Sequence, residues 1–284
     1  KSHIHKVNIL SDDVIELIVH SPQCAKNFKA GQFFRLQNYS NDLNKVTKPL
    51  ALTGAYVDRK AGLISLIILA LGKSTKLCHD FKEGDEIVLM GPNGAPTTIV
   101  KDKKIVLIGS GVLSSIMAPV AKSLKENNCH VTYFAGYKKT ADQIYPERIQ
   151  EYADQVIWSC EQEKLPAQSA QDLSIKGTII DAIRYAKTSG LLENIDQVIC
   201  GGSNFLAQKI TEEKHEIFAE AEIIFNINSP MQCMMKGICG QCIQKVNDER
   251  GYIFSCVCQE QKAEIIDFEI LKNRLTQNSL LEKI

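Results

Sequence analysis

The sequence predicts an antiparallel β-barrel, then a doubly wound parallel α/β domain, then a small cysteine-rich C-terminal module. Three observations carry this fold class. Short strand-like segments separated by turn residues fill the first part of the chain. Strand–helix alternation fills the middle. Five of the ten cysteines fall after residue 230. The corresponding divisions are residues 1–100, 101–226 and 227–284.

In the first division, Val14 to His20, Phe33 to Leu36 and Leu63 to Leu71 read as strands, and the segment opening at Lys1 is also strand-like. Ser21-Pro22, Ala30-Gly31, Ala61-Gly62, Glu83-Gly84-Asp85 and Gly91-Pro92-Asn93-Gly94 supply turns between them. Several short strands at such spacing suit a small antiparallel barrel. In the second division, Lys104 to Ile108 is a short apolar run of the kind expected in a buried parallel strand. A Gly-Ser-Gly turn and a helical stretch from Ser114 to Glu126 follow. His130 to Ala135, Gln155 to Trp158 and Gln197 to Cys200 continue the strands, with a helix over Thr178 to Lys187. Such alternation predicts a parallel sheet with crossover helices. In the third division the cysteines precede a polar tail, with Ile265, Ile266, Phe268, Ile270 and Leu271 spaced to pack it down.

Composition narrows the function classes. Lys+Arg and Asp+Glu are each 33, so the formal net charge is +0. A balanced charge gives no general attraction to nucleic acid or to an anionic membrane. The longest apolar run, Leu63 to Leu71, is broken by Ser65 and ends at Gly72, far short of the roughly 20 residues a spanning helix needs. No signal peptide is visible, so scattered thiols such as Cys24, Cys78, Cys129 and Cys160 are expected to stay reduced in the cytoplasm. Bunched cysteines in that setting point to a metal rather than to disulfides.

The cysteine pattern is Cys233-x5-Cys239-x2-Cys242-x13-Cys256-x-Cys258. A cluster needs thiolates converging on a space a few ångströms wide. Cys239 and Cys242 form a tight loop. Ile243 to Val246, a turn over Asn247 to Gly251, and Tyr252 to Phe254 read as a hairpin that returns Cys256 to that loop. Gly237 and Gly240 leave room for backbone amides to approach the sulfurs. Spacing favours a [2Fe–2S] cluster on Cys239, Cys242 and Cys256, with Cys233 ahead of Cys258 as the fourth ligand. It also admits a structural zinc ion on Cys239, Cys242, Cys256 and Cys258.

Two glycine turns fit nucleotide binding. Gly109-Ser110-Gly111 follows an apolar strand and opens a helix, with Ser114 at the place of a third glycine; such a turn can set a pyrophosphate at a helix N-terminus. Cys200-Gly201-Gly202-Ser203 ends a later strand, at the edge where ligands of such sheets bind. Both are also compatible with plain βα turns. In the first division Lys48-Pro49-Leu50-Ala51 offers a cation, and Gly72 to Thr75 offers amides and hydroxyls, to a phosphate.

Taken in order, these pieces resemble the ferredoxin–NADP reductase superfamily, most closely its branch with a C-terminal [2Fe–2S] module. That branch includes electron-transfer subunits of dihydroorotate dehydrogenase, the alpha subunit of NADH-dependent ferredoxin–NADP reductase, and sulfide dehydrogenase. The resemblance covers nearly the whole chain. It implies an FAD-binding barrel, an NAD(P)-binding α/β domain and a cluster-binding tail. The family's Arg-Pro-hydrophobic-Ser/Thr flavin motif is matched by Lys48, Pro49, Leu50 and Ala51, and its phosphate turn by Gly72, Ser74 and Thr75. The nicotinamide turn is matched by Gly109, Gly111 and Ser114. The Cys-Gly strand end is matched by Gly201 and Gly202, with Cys200 as the candidate catalytic position. The chain departs from the pattern in three ways. Lys48 replaces Arg and loses bidentate phosphate geometry, Ala51 replaces a hydroxyl residue, and the first cysteine spacing is one residue longer than usual.

The resemblance implies an oxidoreductase that moves electrons between NAD(P)H, FAD, a [2Fe–2S] cluster and a partner protein. That partner would be a dihydroorotate dehydrogenase-like catalytic subunit, a ferredoxin or a glutamate-synthase-like enzyme. Because the chain opens on Lys1 rather than Met, it also admits being one module of a larger flavoenzyme. The alternative is a zinc-stabilised nucleotide-binding regulator without redox activity. His5, His20 and His79 are scattered, and no hydrolytic constellation is present.

Overall fold

The computed structural model describes residues 2–37, 49–229 and 231–274. The chain forms two compact units: one gathers residues 1–97, 229–259 and 269–284, the other 98–228 and 260–268.

The first unit is built on a closed six-stranded barrel. Its strands are β1 (Ser2–Ser11), β2 (Val14–His20), β3 (Phe33–Gln37), β4 (Leu50–Asp58), β5 (Leu63–Leu69) and β6 (Glu86–Asn93). Their order is β1-β2-β5-β4-β3-β6, every pairing is antiparallel, and β1 closes on β6 through Ser2 opposite Ile87. The sheet has no free edge to protect. Alternate residues point inward, so Ile15, Leu17 and Val19 of β2 meet Ile64, Leu66 and Ile68 of β5 around Phe34 and Leu36. Burying such aliphatic side chains contributes about 1.5–3 kcal/mol each.

The second unit is a mostly parallel sheet. Its strands are β7 (Lys104–Ser110), β8 (His130–Tyr137), β9 (Gln155–Cys160), β10 (Leu173–Lys176), β11 (Gln197–Gly201) and β12 (Glu222–Asn226). The order β10-β9-β8-β7-β11-β12 reverses direction between β7 and β11, which creates a topological switch point there. Ile105 to Ile108, Phe134 and Trp158 are buried in this sheet. The predicted helix over Thr178 to Lys187 is observed as Ile179–Thr188. Thr178 caps it by accepting from the Asp181 N–H, while the Asp181 carboxylate accepts from the Thr178 N–H. The stretch predicted as one helix from Ser114 is two pieces, Val112–Ile116 and Ala118–Glu126. Pro119 has no N–H to continue the first piece and sits in the opening turn of the second.

The cysteine-rich segment 229–259 folds as part of the first unit. Its hairpin pairs β13 (Ile243–Lys245) with β14 (Tyr252–Phe254), Ile243 opposite Phe254. The buried Gln259 fastens the segment to the barrel. Its Nε2 donates to the carbonyls of Gly31 at 2.7 Å and Ala95 at 2.8 Å. The chain then enters the second unit as β15 (Glu260–Lys262), which runs antiparallel along β12. The sheet therefore carries one antiparallel edge strand beyond the parallel set that the sequence pattern predicts.

Candidate functional site

The cysteine centre is assembled by the hairpin. The Ser255 N–H donates to the Cys242 carbonyl at 2.9 Å, and the Ser255 hydroxyl donates to the same carbonyl at 3.1 Å. This pins Cys256 beside Cys242. Gly237 has φ of +82°, and a Cβ there would come within 2.6 Å of the Phe254 ring. The Gly237 N–H is thereby free to reach the Cys256 Sγ at 3.2 Å. Met234, Cys242 and Cys256 are buried together against Phe33, whereas Cys239 is exposed.

The thiols associate in two pairs. Cys233 and Cys239 lie close enough to interact, as do Cys242 and Cys256, and Cys233 and Cys256 interact electrostatically. Burial, then the neighbouring Cys242 thiol, pushes the Cys256 thiol up to about 12. For Cys239 burial acts upward, but backbone hydrogen bonds from Cys233 and Gln241 outweigh it and lower the thiol below its ordinary value. Cys258 lies within electrostatic range of Arg250. Among the described residues, no three His, Cys, Asp or Glu side chains meet at one point suited to a single metal ion.

At the barrel, Lys48 lies outside the described residues. Pro49 leads into β4, where Leu50 and Ala51 pair with Leu36 and Arg35 of β3. Gly54 of β4 stands opposite Leu66 of β5. This antiparallel register brings the start of β4 and the turn after β5 to the same end of the barrel. In that turn the Gly72 N–H donates to the Thr75 hydroxyl at 3.0 Å and the hydroxyl donates back to the Gly72 carbonyl. Ser74 is buried beside them.

The nicotinamide candidates meet at the switch point. Gly109 is the second-last residue of β7 and Gly201 ends β11, and the two are register partners. A Cβ on Gly109 would lie 2.6 Å from the Ser114 Cα. The missing side chain of the first glycine thus allows the close strand–helix approach that a third glycine provides in the usual motif. Ser114 is fully buried. Its carbonyl accepts from the Tyr133 hydroxyl, while its own hydroxyl and that of Tyr137 are buried without a hydrogen-bond partner among the described residues. The Gly111 N–H donates to the Gly136 carbonyl at 2.7 Å. Gly202 packs on Leu206, and the Ser203 hydroxyl caps the helix Asn204–Glu212. Cys200 is fully buried, and burial pushes its thiol up to about 12. At neutral pH it is an uncharged packing group, not a thiolate nucleophile.

Two arginines that no motif singles out also belong to the cysteine centre. The Arg35 Nε donates to the Gln232 carbonyl at 3.4 Å, and Arg274 donates to the Gln241 carbonyl. Isolated basic residues far apart in the chain carry no sequence signal for such a role; only the fold brings them there.

No helix among the described residues is long and apolar enough to cross a membrane. No protein-family model matches the chain. An uncharacterized protein of Rickettsia prowazekii is 43% identical over the whole chain, which spans 33% of that protein's length. The dihydroorotate dehydrogenase B electron transfer subunit homolog of Thermotoga maritima is 27% identical over 99% of this chain and 92% of its own. The solved structure of an NADH-dependent reduced ferredoxin–NADP oxidoreductase superposes with a TM-score of 0.84 at 25% identity, covering 97% of this chain and 93% of that one. Over almost its whole length, the chain is thus similar in sequence and fold to members of the ferredoxin–NADP reductase-like superfamily.

Proposed function

We propose that the chain is an NAD(P)H-linked flavin and iron–sulfur oxidoreductase module that exchanges electrons with a protein partner. The observation that carries this is the gathering of Cys233, Cys239, Cys242 and Cys256 as two thiol pairs. A [2Fe–2S] cluster takes two thiolates on each iron. A structural zinc ion asks four to converge on one point. The donor set therefore suits the two-iron cluster better.

When bound, FAD would supply the exchange between two-electron nicotinamide chemistry and one-electron cluster chemistry. The chain's own residues bind and orient. Pro49, Leu50, Ala51 and the Gly72 to Thr75 turn would hold the flavin at one end of the barrel, with Lys48 as its phosphate cation. Gly109, Gly111 and Ser114, beside Gly201 and Gly202, would hold NAD(P)H at the switch point. Cys200 would shape the nicotinamide position as a neutral thiol. The partner fits the same chemistry: a dihydroorotate dehydrogenase-like catalytic subunit, a ferredoxin, or a glutamate-synthase-like enzyme. The named Thermotoga relative and the oxidoreductase structure support the first two.

The test is anaerobic purification with an absorption spectrum, iron, sulfide and zinc analysis, and electron paramagnetic resonance after NADH addition. Flavin bands near ~450 nm with a cluster shoulder are expected, together with two irons for each chain. A colourless, zinc-containing protein would overturn the reading.

A further inference from the structure

We propose that Arg35 and Arg274 are positioning residues of the cysteine centre: each grips the peptide preceding a ligand cysteine, and their charges favour the reduced state of the cluster. This rests on the reading above that the centre holds a [2Fe–2S] cluster.

The two arginines arrive from unrelated parts of the first unit. Arg35 lies on β3, in the same cross-strand row as Ala51 on one side and Met90 on the other. Its Nη1 is 3.3 Å from the Met90 Sδ, and its Nε reaches the Gln232 carbonyl. Arg274 lies on the helical stretch 268–274. One of its nitrogens donates to the Gln241 carbonyl, and its Nη1 is 3.3 Å from the Oε1 of the fully buried Gln244. The gripped residues precede Cys233 and Cys242. There is thus one arginine for each thiol pair.

The grip has a geometric consequence. In a trans peptide the carbonyl and the following N–H point opposite ways. Holding the Gln232 carbonyl outward therefore aims the Cys233 N–H inward, and the Cys233 backbone does hydrogen-bond the Cys239 sulfur. Holding the Gln241 carbonyl fixes the peptide that leads into buried Cys242. Backbone amides aimed at the sulfurs are a recognised lever on cluster potential.

The charges matter as well. A cluster on four thiolates is anionic, and accepting one electron makes it more so. A nearby cation stabilises the reduced form more than the oxidised one. Arg274 is close enough to Cys242 for the two to interact electrostatically. Among the described residues, the hydrogen bonds of Arg35 and Arg274 go to carbonyls, a side-chain amide and a thioether. None of these cancels a charge. Arg250 is the contrast: the Asp248 carboxylate pairs with it at 2.6 Å.

The experiment is a redox titration of the full chain, following the cluster by paramagnetic resonance, in Arg35→Gln, Arg35→Lys, Arg274→Gln and Arg274→Lys. Flavin content and the fluorescence of Trp158, the single tryptophan, confirm folding. Each Gln variant is expected to move the oxidised-to-reduced ratio about tenfold toward oxidised at fixed potential, a fall of about 59 mV for one electron. Each Lys variant is expected to stay within about threefold of the unmodified protein. Gln variants with a full cluster at the unmodified potential overturn the proposal. If the Gln variants lose the cluster while the Lys variants keep it, the charge is supported. Loss from all four with flavin retained overturns it, since the guanidinium fork and not the charge would then hold the site. An unmodified protein without a cluster signal would instead remove the functional reading, a separate outcome.

Discussion

Cys256 and Cys258 are separated by one residue, yet the fold sends them to different neighbours. Cys256 is buried against Met234 and Phe33, receives the Gly237 N–H and packs beside Cys242. The Cys258 N–H donates to the Phe254 carbonyl, and its thiol lies within range of Arg250. The sequence spacing admits either as the last ligand, because alternation along an extended chain decides only which face a side chain takes. Position within the turn after β14 separates them. Replacing a ligand thiolate removes a bond that a serine hydroxyl does not restore. Cys256→Ser is therefore expected to abolish the cluster chromophore, and Cys258→Ser to leave iron content and spectrum unchanged. Iron and sulfide analysis of the two purified variants checks this. A Cys258→Ser protein without iron, beside a Cys256→Ser protein that retains it, would reverse the ligand assignment.

At the scale of elements, the parallel core of the second unit depends on a junction that can be tested by pH. Asp154, just before β9, accepts from Lys125 at 2.6 Å and from the Val131 N–H at 2.7 Å. Partial burial works to raise its carboxyl, but these partners outweigh it and hold the group below its ordinary value. A depressed folded-state value means the stabilisation is present above the unfolded carboxylate value of about 4 and is lost as pH falls through the folded one. Asp154→Asn should cost about 1 kcal/mol at pH 7, discounted for partial exposure, and the gap to the unmodified protein should close as pH falls below about 4. Urea unfolding followed by Trp158, buried in neighbouring β9, measures it; a gap that stays constant with pH refutes the linkage. This junction was not legible in the sequence, whereas β7, β2 and the β13–β14 hairpin were. Those segments carry an apolar run or a turn between two strand-like stretches. Asp154 carries neither, and β15 is Glu-Gln-Lys, a polar triplet that pairs along β12 by backbone hydrogen bonds. The same contrast holds for the site. Glycine turns and cysteine spacing announce themselves, whereas Arg35, Arg274 and Gln259 act through partners that only tertiary register supplies.

For the whole molecule, the proposed chemistry divides along the residues that hold it. The proposed flavin and nicotinamide positions are in the barrel and at the β7–β11 switch point; the thiols lie in segment 229–259. Loss of one thiolate should therefore leave the first part of the electron route working and cut the last. Cys239 is the suitable place to cut, because it is exposed and a serine there buries no hydroxyl in the core, unlike one at Cys242 or Cys256. Cys239→Ser is expected to keep NADH-dependent reduction of a two-electron dye within about twofold of the unmodified chain, while transfer to a one-electron protein acceptor falls at least about tenfold. Flavin content and Trp158 fluorescence should not change. Undiminished transfer to the protein acceptor would show that electrons leave by a route other than the cysteine centre. Parallel loss of both activities in a folded, flavin-loaded variant would show that the two parts of the route are not separable. The balanced charge of the chain adds a control: with no net field to steer partners, the contrast between dye and protein acceptor should persist when ionic strength is raised.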